Sequence, residues 1–142
     1  MDLESAASLH EIGLSIAYAG YHKHSAYILE HADMPGFSRE EQQTLAAIVR
    51  SHRRKLSRDL FAKLSKEHKR TAFYLGTLLR LSVRLHHSRS AEPLPKLELG
   101  ADRTALQLTF PPGWLEERPL TRADLEEEAA MLQAVGVSLS FR

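Results

Sequence analysis

The sequence from Tyr21 to Ser38 reads YHKHSAYILEHADMPGFS and places three histidines next to an Asp-Met-Pro-Gly turn. Residues 23–32 have helical spacing, with His24 and His31 along one face. The proline and glycine that follow predict a turn. Because histidines at this density are typical of metal sites and proton relays, the stretch poses a question. The chain contains either a metal-dependent hydrolase site or only the fold of such a site without its metal.

Further helices are predicted on both sides of this stretch. Apolar residues recur at helical spacing over residues 3–18, and His10 lies on that apolar face. Ser38 and the glutamate three positions later have capping-box spacing and open another helix, whose apolar side carries His52. The most apolar helix is predicted over residues 71–88. The first part of the chain is therefore a helical bundle.

The helical pattern stops before residues 91–95, whose sequence AEPLP predicts a linker. The elements predicted after it are strands over 96–99 and 104–110, a helix over 121–135 capped by Thr121, and a strand over 137–141. The predicted fold class is mainly α. An HD-like helical domain over residues 1–90 is followed by a small strand–strand–helix–strand unit over 96–142.

Charge is strongly segregated along the chain, although the net charge is only +1. Residues 1–49 carry a net −5, residues 50–89 a net +10 and residues 90–142 a net −4. Twelve Lys and Arg residues stand against two acids in the middle segment. Such segregation creates a local positive field that the net charge conceals, and it predicts an anionic partner for the middle segment.

Composition excludes several classes of protein. The chain has no cysteine, so it has neither a disulfide framework nor thiolate chemistry, which fits a cytoplasmic protein. No uninterrupted apolar run approaches the roughly 18–20 residues of a membrane span. We therefore expect a cytoplasmic localisation and no membrane partner.

Several segments together resemble the C-terminal region of one enzyme family. They are LHEIG (9–13), GYHKHSAYILEHADMPGFS (20–38), VRSHRRKL (49–56), LLRLSVRLHHSR (78–89), LTFPPGWL (108–115) and PLTRADLEEE (119–128). The family is that of the exopolyphosphatases and guanosine pentaphosphate phosphatases, and the stretch 20–38 looks closer to exopolyphosphatase. The resemblance covers essentially the whole chain.

The resemblance implies that catalysis and polyphosphate binding lie on different domains of the parent enzyme. The parent enzyme would release orthophosphate processively from the ends of polyphosphate, with Mg²⁺ held in two actin-like N-terminal domains that this sequence lacks. The present chain would hold no cofactor and no catalytic residue. Its expected partners are inorganic polyphosphate, its own N-terminal catalytic domains and, as an open possibility, a second copy of itself.

The resemblance also predicts that the metal site of HD phosphohydrolases is degenerate here. His10-Glu11 stands where those proteins have a His-Asp pair, and Val83 stands where they have a distant aspartate. His24 and His52 can still meet His10 in the bundle. We predict a degenerate site of His10, Glu11, His24 and His52 without metal, in which the histidines are core residues. A residual metal-dependent phosphohydrolase stays the alternative.

The basic middle segment is predicted to bind polyphosphate, which is recognised by charge and spacing alone. The predicted contacts are Arg50, Arg53, Arg54, Lys55, Arg58, Arg80 and Arg84, the last two forming a helical stripe with His87. Nucleic acid is the obvious competitor, but residues 50–70 contain only one aromatic side chain for base stacking, Phe61. A dimerisation or interaction module, using the helix 75–85 and the acidic residues 126–128, is another alternative. We predict packing rather than ligand stacking for Trp114.

Overall fold

A computed structural model describes residues 3–86 and 92–142 of the protein. The elements in these ranges are α1 (Leu3–Leu9), α2 (Tyr21–His31), α3 (Arg39–Arg50), α4 (Lys66–His86), β1 (Glu98–Asp102), β2 (Ala105–Thr109), α5 (Pro119–Gln133) and β3 (Ser138–Phe141). Short 3₁₀ turns lie at Ile12–Ser15 and Arg58–Phe61. The predicted class, mainly helical with a small strand unit, is confirmed. Over the described residues, no helix combines the length and apolar character needed to cross a bilayer.

The chain divides into two compact units, Met1–Arg80 and Leu81–Arg142. The division falls within α4, so that the last turns of this helix belong to the second unit. The linker was predicted later in the chain, over residues 91–95. Ala91 lies outside the described residues, and a linker role for this segment stays a prediction.

The core of the first unit forms where α2 and α1 pack on α3. Every residue from Thr44 to Val49 of α3 is buried, and Leu29 supplies a fully buried apolar side chain from α2. Each buried Leu, Ile or Val side chain among them stabilises the fold by about 1.5–3 kcal/mol. The predicted capping box starts α3, because Ser38 Oγ accepts from the Glu41 N–H at 3.1 Å and the Glu41 carboxylate accepts from the Ser38 N–H at 2.6 Å.

The first helix ends at Leu9, whereas the sequence predicted a helix to residue 18. A Cβ atom on Gly13 would lie 2.2 Å from the Tyr21 carbonyl oxygen, so only glycine allows this approach to α2. Ser25 Oγ accepts from the Gly13 N–H and donates to the His10 carbonyl, both at 2.8 Å. The His10 carbonyl is thus bonded across to α2. This tertiary contact ends the helix, which periodicity alone does not reveal.

The second unit is built on a three-stranded sheet in the order β1-β2-β3. β1 and β2 pair antiparallel, β2 and β3 pair parallel, and α5 makes the crossover between the parallel strands. The buried cluster of this unit comprises Leu85, Leu108, Phe110, Leu115 and Leu125. Trp114 stacks on Phe110 with ring centroids 4.9 Å apart, in a packing arrangement. α5 begins at Pro119, so Thr121 is buried inside the helix and is not its cap, as had been predicted.

Candidate functional site

Three histidines meet beside a tyrosine in the first unit. The ring of His52, just after α3, lies 5.0 Å from the ring of His10 and 6.3 Å from that of His22, measured between centroids. The Tyr21 ring lies 5.5 Å from His52. His22 and His52 are buried, and His10 is partly buried. We call His10, Tyr21, His22 and His52 the histidine cluster.

Hydrogen bonds fix the orientation of His52 within the cluster. Its Nδ1–H donates to the Val49 carbonyl, so its Nε2 carries the lone pair and faces the Tyr21 hydroxyl at 3.5 Å. Burial, followed by the nearby His10, His22 and Arg53, lowers the pKa of His52 from 6.5 to about 4, although the bond to Val49 opposes this. His52 is therefore neutral near pH 7 and serves as a packed, hydrogen-bonded core residue.

The predicted degenerate site is only partly assembled. His10 and His52 come together as predicted, and Glu11 lies beside His10, with Oε1 3.7 Å from its Nε2. His24 is half-buried on α2 and makes no ring contact with the cluster among the described residues. His22 takes the place expected of His24. The buried face of α2 runs through His22, Ser25 and Leu29, a helical spacing that the sequence contained.

The donor atoms of the histidine cluster decide which metal ion it could hold. Mg²⁺ prefers oxygen ligands at near-octahedral geometry, whereas the cluster offers imidazole rings with the Glu11 carboxylate beside His10. Across residues 3–86 and 92–142, no group of three or more His, Asp or Glu side chains is arranged to hold a metal. The cluster does not fit Mg²⁺, and the absence of a metal from this chain stays a prediction.

Four of the predicted basic contacts lie on one short segment, residues 50–55, which we call the basic turn. Arg50 is the last residue of α3, and Arg54 has a left-handed backbone with φ of 64°. Arg50, Arg54 and Lys55 are exposed, and none of them has a carboxylate within 4 Å in the described part of the chain. Arg53 is half-buried, with its guanidinium carbon 4.3 Å from the Tyr21 ring centroid.

The charges of the basic turn act on the histidine cluster beneath it. Burial is the largest cause that lowers the pKa of His22 from 6.5 to about 4, followed by Arg53, Lys23, Arg50 and Arg54. All four cations are thus close enough to His22 to disfavour its protonation. Lys23, in the first turn of α2, was not among the predicted contacts because it is distant in sequence from residues 50–55. The segment carries a concentrated positive field.

Arg80 and Arg84 do not form the exposed basic stripe that was expected. Arg80 is 1% exposed and its Nη1 donates to the Ser51 carbonyl at 2.7 Å, so it braces the core of the first unit. Arg84 Nε donates to the buried carboxylate of Glu128 at 3.0 Å, and Nη1 donates to Glu127 at 3.4 Å. These guanidiniums already have acceptors within the protein. Their placement argues against phosphate contacts.

The remaining predicted contacts differ from each other. The Arg58 guanidinium lies over the Phe73 ring, 4.2 Å from its centroid, and its side chain is exposed. His87, the last member of the expected stripe, lies outside the described residues.

Beside the basic turn, a groove of about 320 Å³ runs between α2, α3 and the second 3₁₀ turn. Its polar lining consists of Tyr27, Glu30, Gln43, Arg50, Asp59 and Lys63.

Comparison with known proteins defines the relationships of this chain. The family model described as Ppx/GppA phosphatase, domain III, matches residues 2–129. A guanosine-5′-triphosphate,3′-diphosphate pyrophosphatase of Vibrio cholerae is 42% identical over 143 residues, covering 99% of this chain and 28% of that protein. Its counterparts from Pseudoalteromonas translucida and Aeromonas hydrophila are 38% and 37% identical, covering 96% and 94% of this chain and 27% of each protein.

The chain thus spans little more than a quarter of the length of the curated relatives that it matches. These matches lie in the C-terminal part of the longer proteins. Their names refer to the guanosine nucleotide activity, whereas the sequence had suggested the exopolyphosphatase activity of the same family. With a family model matched along most of its length, this chain belongs to the Ppx/GppA phosphatase family and corresponds to domain III.

Proposed function

We propose that this chain is the part of a larger Ppx/GppA phosphatase that binds the phosphate chain of the substrate. The observation that carries the proposal is the basic turn, where Arg50, Arg54 and Lys55 are exposed without a carboxylate partner in the described residues. Like charges held this close repel one another unless a polyanion neutralises them. Neutralisation by a polyanion would thus be the function of the segregated charge.

Inorganic polyphosphate is the substrate that we propose first. It is a linear polyanion without bases, so its recognition depends on charge and on hydrogen-bond donors spaced along a path. Arg50 and Arg54 would each hold two phosphate oxygens with a planar fork, and Lys55 would act as a point charge. Catalysis, with Mg²⁺, would take place on N-terminal domains outside this chain, in the cytoplasm. Retention of the polymer by the basic turn would make release of orthophosphate processive.

A guanosine pentaphosphate is the second candidate substrate, favoured by the names of the relatives. The groove beside Arg50 has a volume suitable for a small ligand, about 320 Å³. Its carboxylates, Glu30 and Asp59, are acceptors of the kind that guanine N–H groups require. Arg50 and Lys63 could hold phosphates at the same time. In this case the groove and the basic turn would share one ligand.

The test is binding of long polyphosphate to the 142-residue chain over a series of salt concentrations. We compare it with a single-stranded oligonucleotide of equal charge and with guanosine pentaphosphate. A matched variant pair removes three cations at a time, Arg50→Gln/Arg54→Gln/Lys55→Gln in the basic turn and Lys66→Gln/Lys69→Gln/Arg70→Gln at the start of α4. The expected loss is about 10- to 100-fold for the first variant and less than about threefold for the second.

The outcomes separate the candidate functions. Steep salt dependence with preference for polyphosphate supports the first candidate, and tight guanosine pentaphosphate binding that Glu30→Gln weakens supports the second. Equal binding of polyphosphate and oligonucleotide would mean a nonspecific basic patch. Absence of all binding would refute the proposal and leave a dimerisation or interaction module, which sedimentation and addition of the N-terminal domains would detect. Elemental analysis for Mn, Fe and Zn tests the residual metal-dependent phosphohydrolase.

A further inference from the structure

An exposed aromatic side chain borders the groove beside the basic turn. Residues 50–70 contain one aromatic residue, Phe61, whose side chain is only 3% exposed and therefore cannot stack on a ligand. The fold brings another ring to this region from α2, because Tyr27 lines the same groove as Arg50 and Lys63. Tyr27 is 63% exposed. An aromatic surface is thus available beside the cations, although the two are distant in sequence.

The Tyr27 ring is supported on one side by His31, one turn later in α2. The two rings stack with their centroids 4.3 Å apart and their planes inclined by 27°. The His31 ring is itself oriented by a hydrogen bond, in which Nδ1–H donates to the Tyr27 carbonyl at 2.9 Å. Because a stacked ring covers only one face of its neighbour, the other face of Tyr27 stays open. A supported aromatic ring with one open face is a surface on which nucleobases stack.

The size and the apolar lining of the groove suit a planar ring system. Its volume of about 320 Å³ lies within the range of small-molecule sites. The apolar side chains that α2 and α3 contribute are all alanines, so the two helices leave space that larger side chains would fill. The apolar lining consists of Ala26, Ala46, Ala47, Leu60 and Leu64.

Charges of both signs surround the groove and do not neutralise each other. Glu30 and Asp59 supply carboxylates, and Arg50 and Lys63 supply cations. Over residues 3–86 and 92–142, none of these four side chains forms an ion pair. A ligand that satisfies both signs presents hydrogen-bond donors at one end and negative charge at the other. A nucleotide whose base carries donors meets this requirement, whereas inorganic polyphosphate satisfies the cations alone.

We propose that the groove binds a guanine nucleotide, with the base stacked on the open face of Tyr27 and hydrogen-bonded to the Glu30 carboxylate. Glu30 follows Tyr27 by three positions on α2, so the ring and the carboxylate lie on the same side of the groove. Guanine offers one carboxylate two adjacent donors, N1–H and its amino group. Adenine has an acceptor nitrogen beside its amino group, so it makes one of these two bonds at most.

This inference rests on the second candidate of the proposed function, in which the groove and the basic turn share one ligand. It goes beyond that candidate by naming the residue that stacks on the base and the residue that selects it. Arg50 and Lys63 would hold the phosphates, as a polyphosphate chain would also require. The contribution of the base can therefore be measured separately from that of the phosphates.

The experiment measures binding of GTP, ATP and inorganic tripolyphosphate to the 142-residue chain by isothermal titration calorimetry. The three probes share a chain of three phosphates and differ in the base or in its absence. Tyr27→Leu removes the ring and keeps an apolar side chain. Tyr74→Leu is its matched control, because Tyr74 is an exposed tyrosine of α4 that does not line the groove.

We expect GTP to bind about fivefold or more tightly than ATP, and Glu30→Gln to remove this preference. Tyr27→Leu should weaken GTP binding about fivefold or more and leave tripolyphosphate binding unchanged, because stacking involves the base alone. Tyr74→Leu should change neither affinity.

Four results would contradict the inference. Equal affinities for GTP, ATP and tripolyphosphate, or an unchanged GTP affinity in Tyr27→Leu, would mean that the base is not bound on Tyr27. Equal binding of GTP and ATP that Tyr27→Leu weakens would refute the selection of guanine by Glu30. If none of the three probes binds while long polyphosphate does, the nucleotide site fails and the proposed function stands. Absence of binding by all four anions would refute the proposed function as well.

Discussion

Replacing Arg84 by methionine should test whether this arginine acts in structure or in ligand binding. In the second unit its Nε donates to Glu128 Oε2 at 3.0 Å, and the Glu128 side chain is completely buried. The substitution keeps most of the side-chain volume and removes the guanidinium. The Glu128 carboxylate then loses a charged donor in an environment where water cannot replace it. We expect a loss of stability without a loss of polyphosphate binding.

The magnitude follows from the burial of the two partners. Removing one member of a buried ion pair costs about 3–5 kcal/mol. The Arg84 side chain is 23% exposed, so some water reaches the site and the lower end, about 3 kcal/mol, applies. The second bond of Arg84, to the exposed carboxylate of Glu127 at 3.4 Å, adds less than about 1 kcal/mol. Glu127→Gln is therefore the matched control.

The assay is urea unfolding followed by fluorescence of Trp114. This residue is the single tryptophan of the chain and lies in the same unit as Arg84, so its signal reports on that unit. The double variant Arg84→Met/Glu128→Leu should recover stability to within about 1 kcal/mol, because it leaves no buried charge. A loss below about 1 kcal/mol for Arg84→Met, or a large loss of polyphosphate binding at full stability, would refute this reasoning.

Three further predictions concern the first unit. Gly13→Ala should lower the free energy of unfolding by about 3 kcal/mol or more, since its Cβ would lie 2.2 Å from a backbone oxygen. The control Gly100→Ala, in the second unit, should be tolerated because the nearest atom to its Cβ lies 3.9 Å away. Thermal unfolding of the two variants tests this difference. The low pKa of His52 should contribute about 3 kcal/mol of stability above pH 6.5 that is lost as the pH falls to 4, because the unfolded chain takes up the proton first. His22, whose pKa is also lowered to about 4, acts in the same direction. In urea unfolding at several pH values, His52→Gln should therefore reduce the slope without abolishing it. Arg54→Gly should raise the free energy of unfolding by about 0.5–1 kcal/mol, because glycine adopts a positive φ without strain. The same variant should bind polyphosphate more weakly. Unchanged binding would mean that Arg54 does not contact the polymer.

The helices could be predicted from the sequence wherever a local signal sets them. The capping box at Ser38 starts α3 as expected, and the period of two marks the last strand. The end of α1 could not be predicted, because it depends on contacts between Gly13 and Ser25, twelve residues apart. The start of α5 was misplaced since Pro119 at the first helical position is as good a signal as Thr121 two residues later.

The position of the candidate site along the chain could be predicted, whereas the individual side chains that form it could not. The run of cations at residues 50–55 is visible in the sequence, whereas the choice of His22 over His24 depends on which face of α2 is buried. The predicted face of His24 and His31 is not the buried one, because Ser25 and Ala26 lie on the buried face together with His22 and Leu29. Arg80 and Arg84 have the charge of ligand-binding residues, and only tertiary structure reveals the internal acceptors that they serve.

The hydroxyl of Ser25 has a consequence for how this family can diverge. It accepts from Gly13 and donates to the carbonyl of His10, so one side-chain atom satisfies two backbone groups. Alanine at position 25 would leave both unpaired, and a larger residue would meet the backbone at position 13, where no Cβ fits. Positions 13 and 25 should therefore covary among related proteins, and a lineage that loses the glycine must also reshape the start of α2.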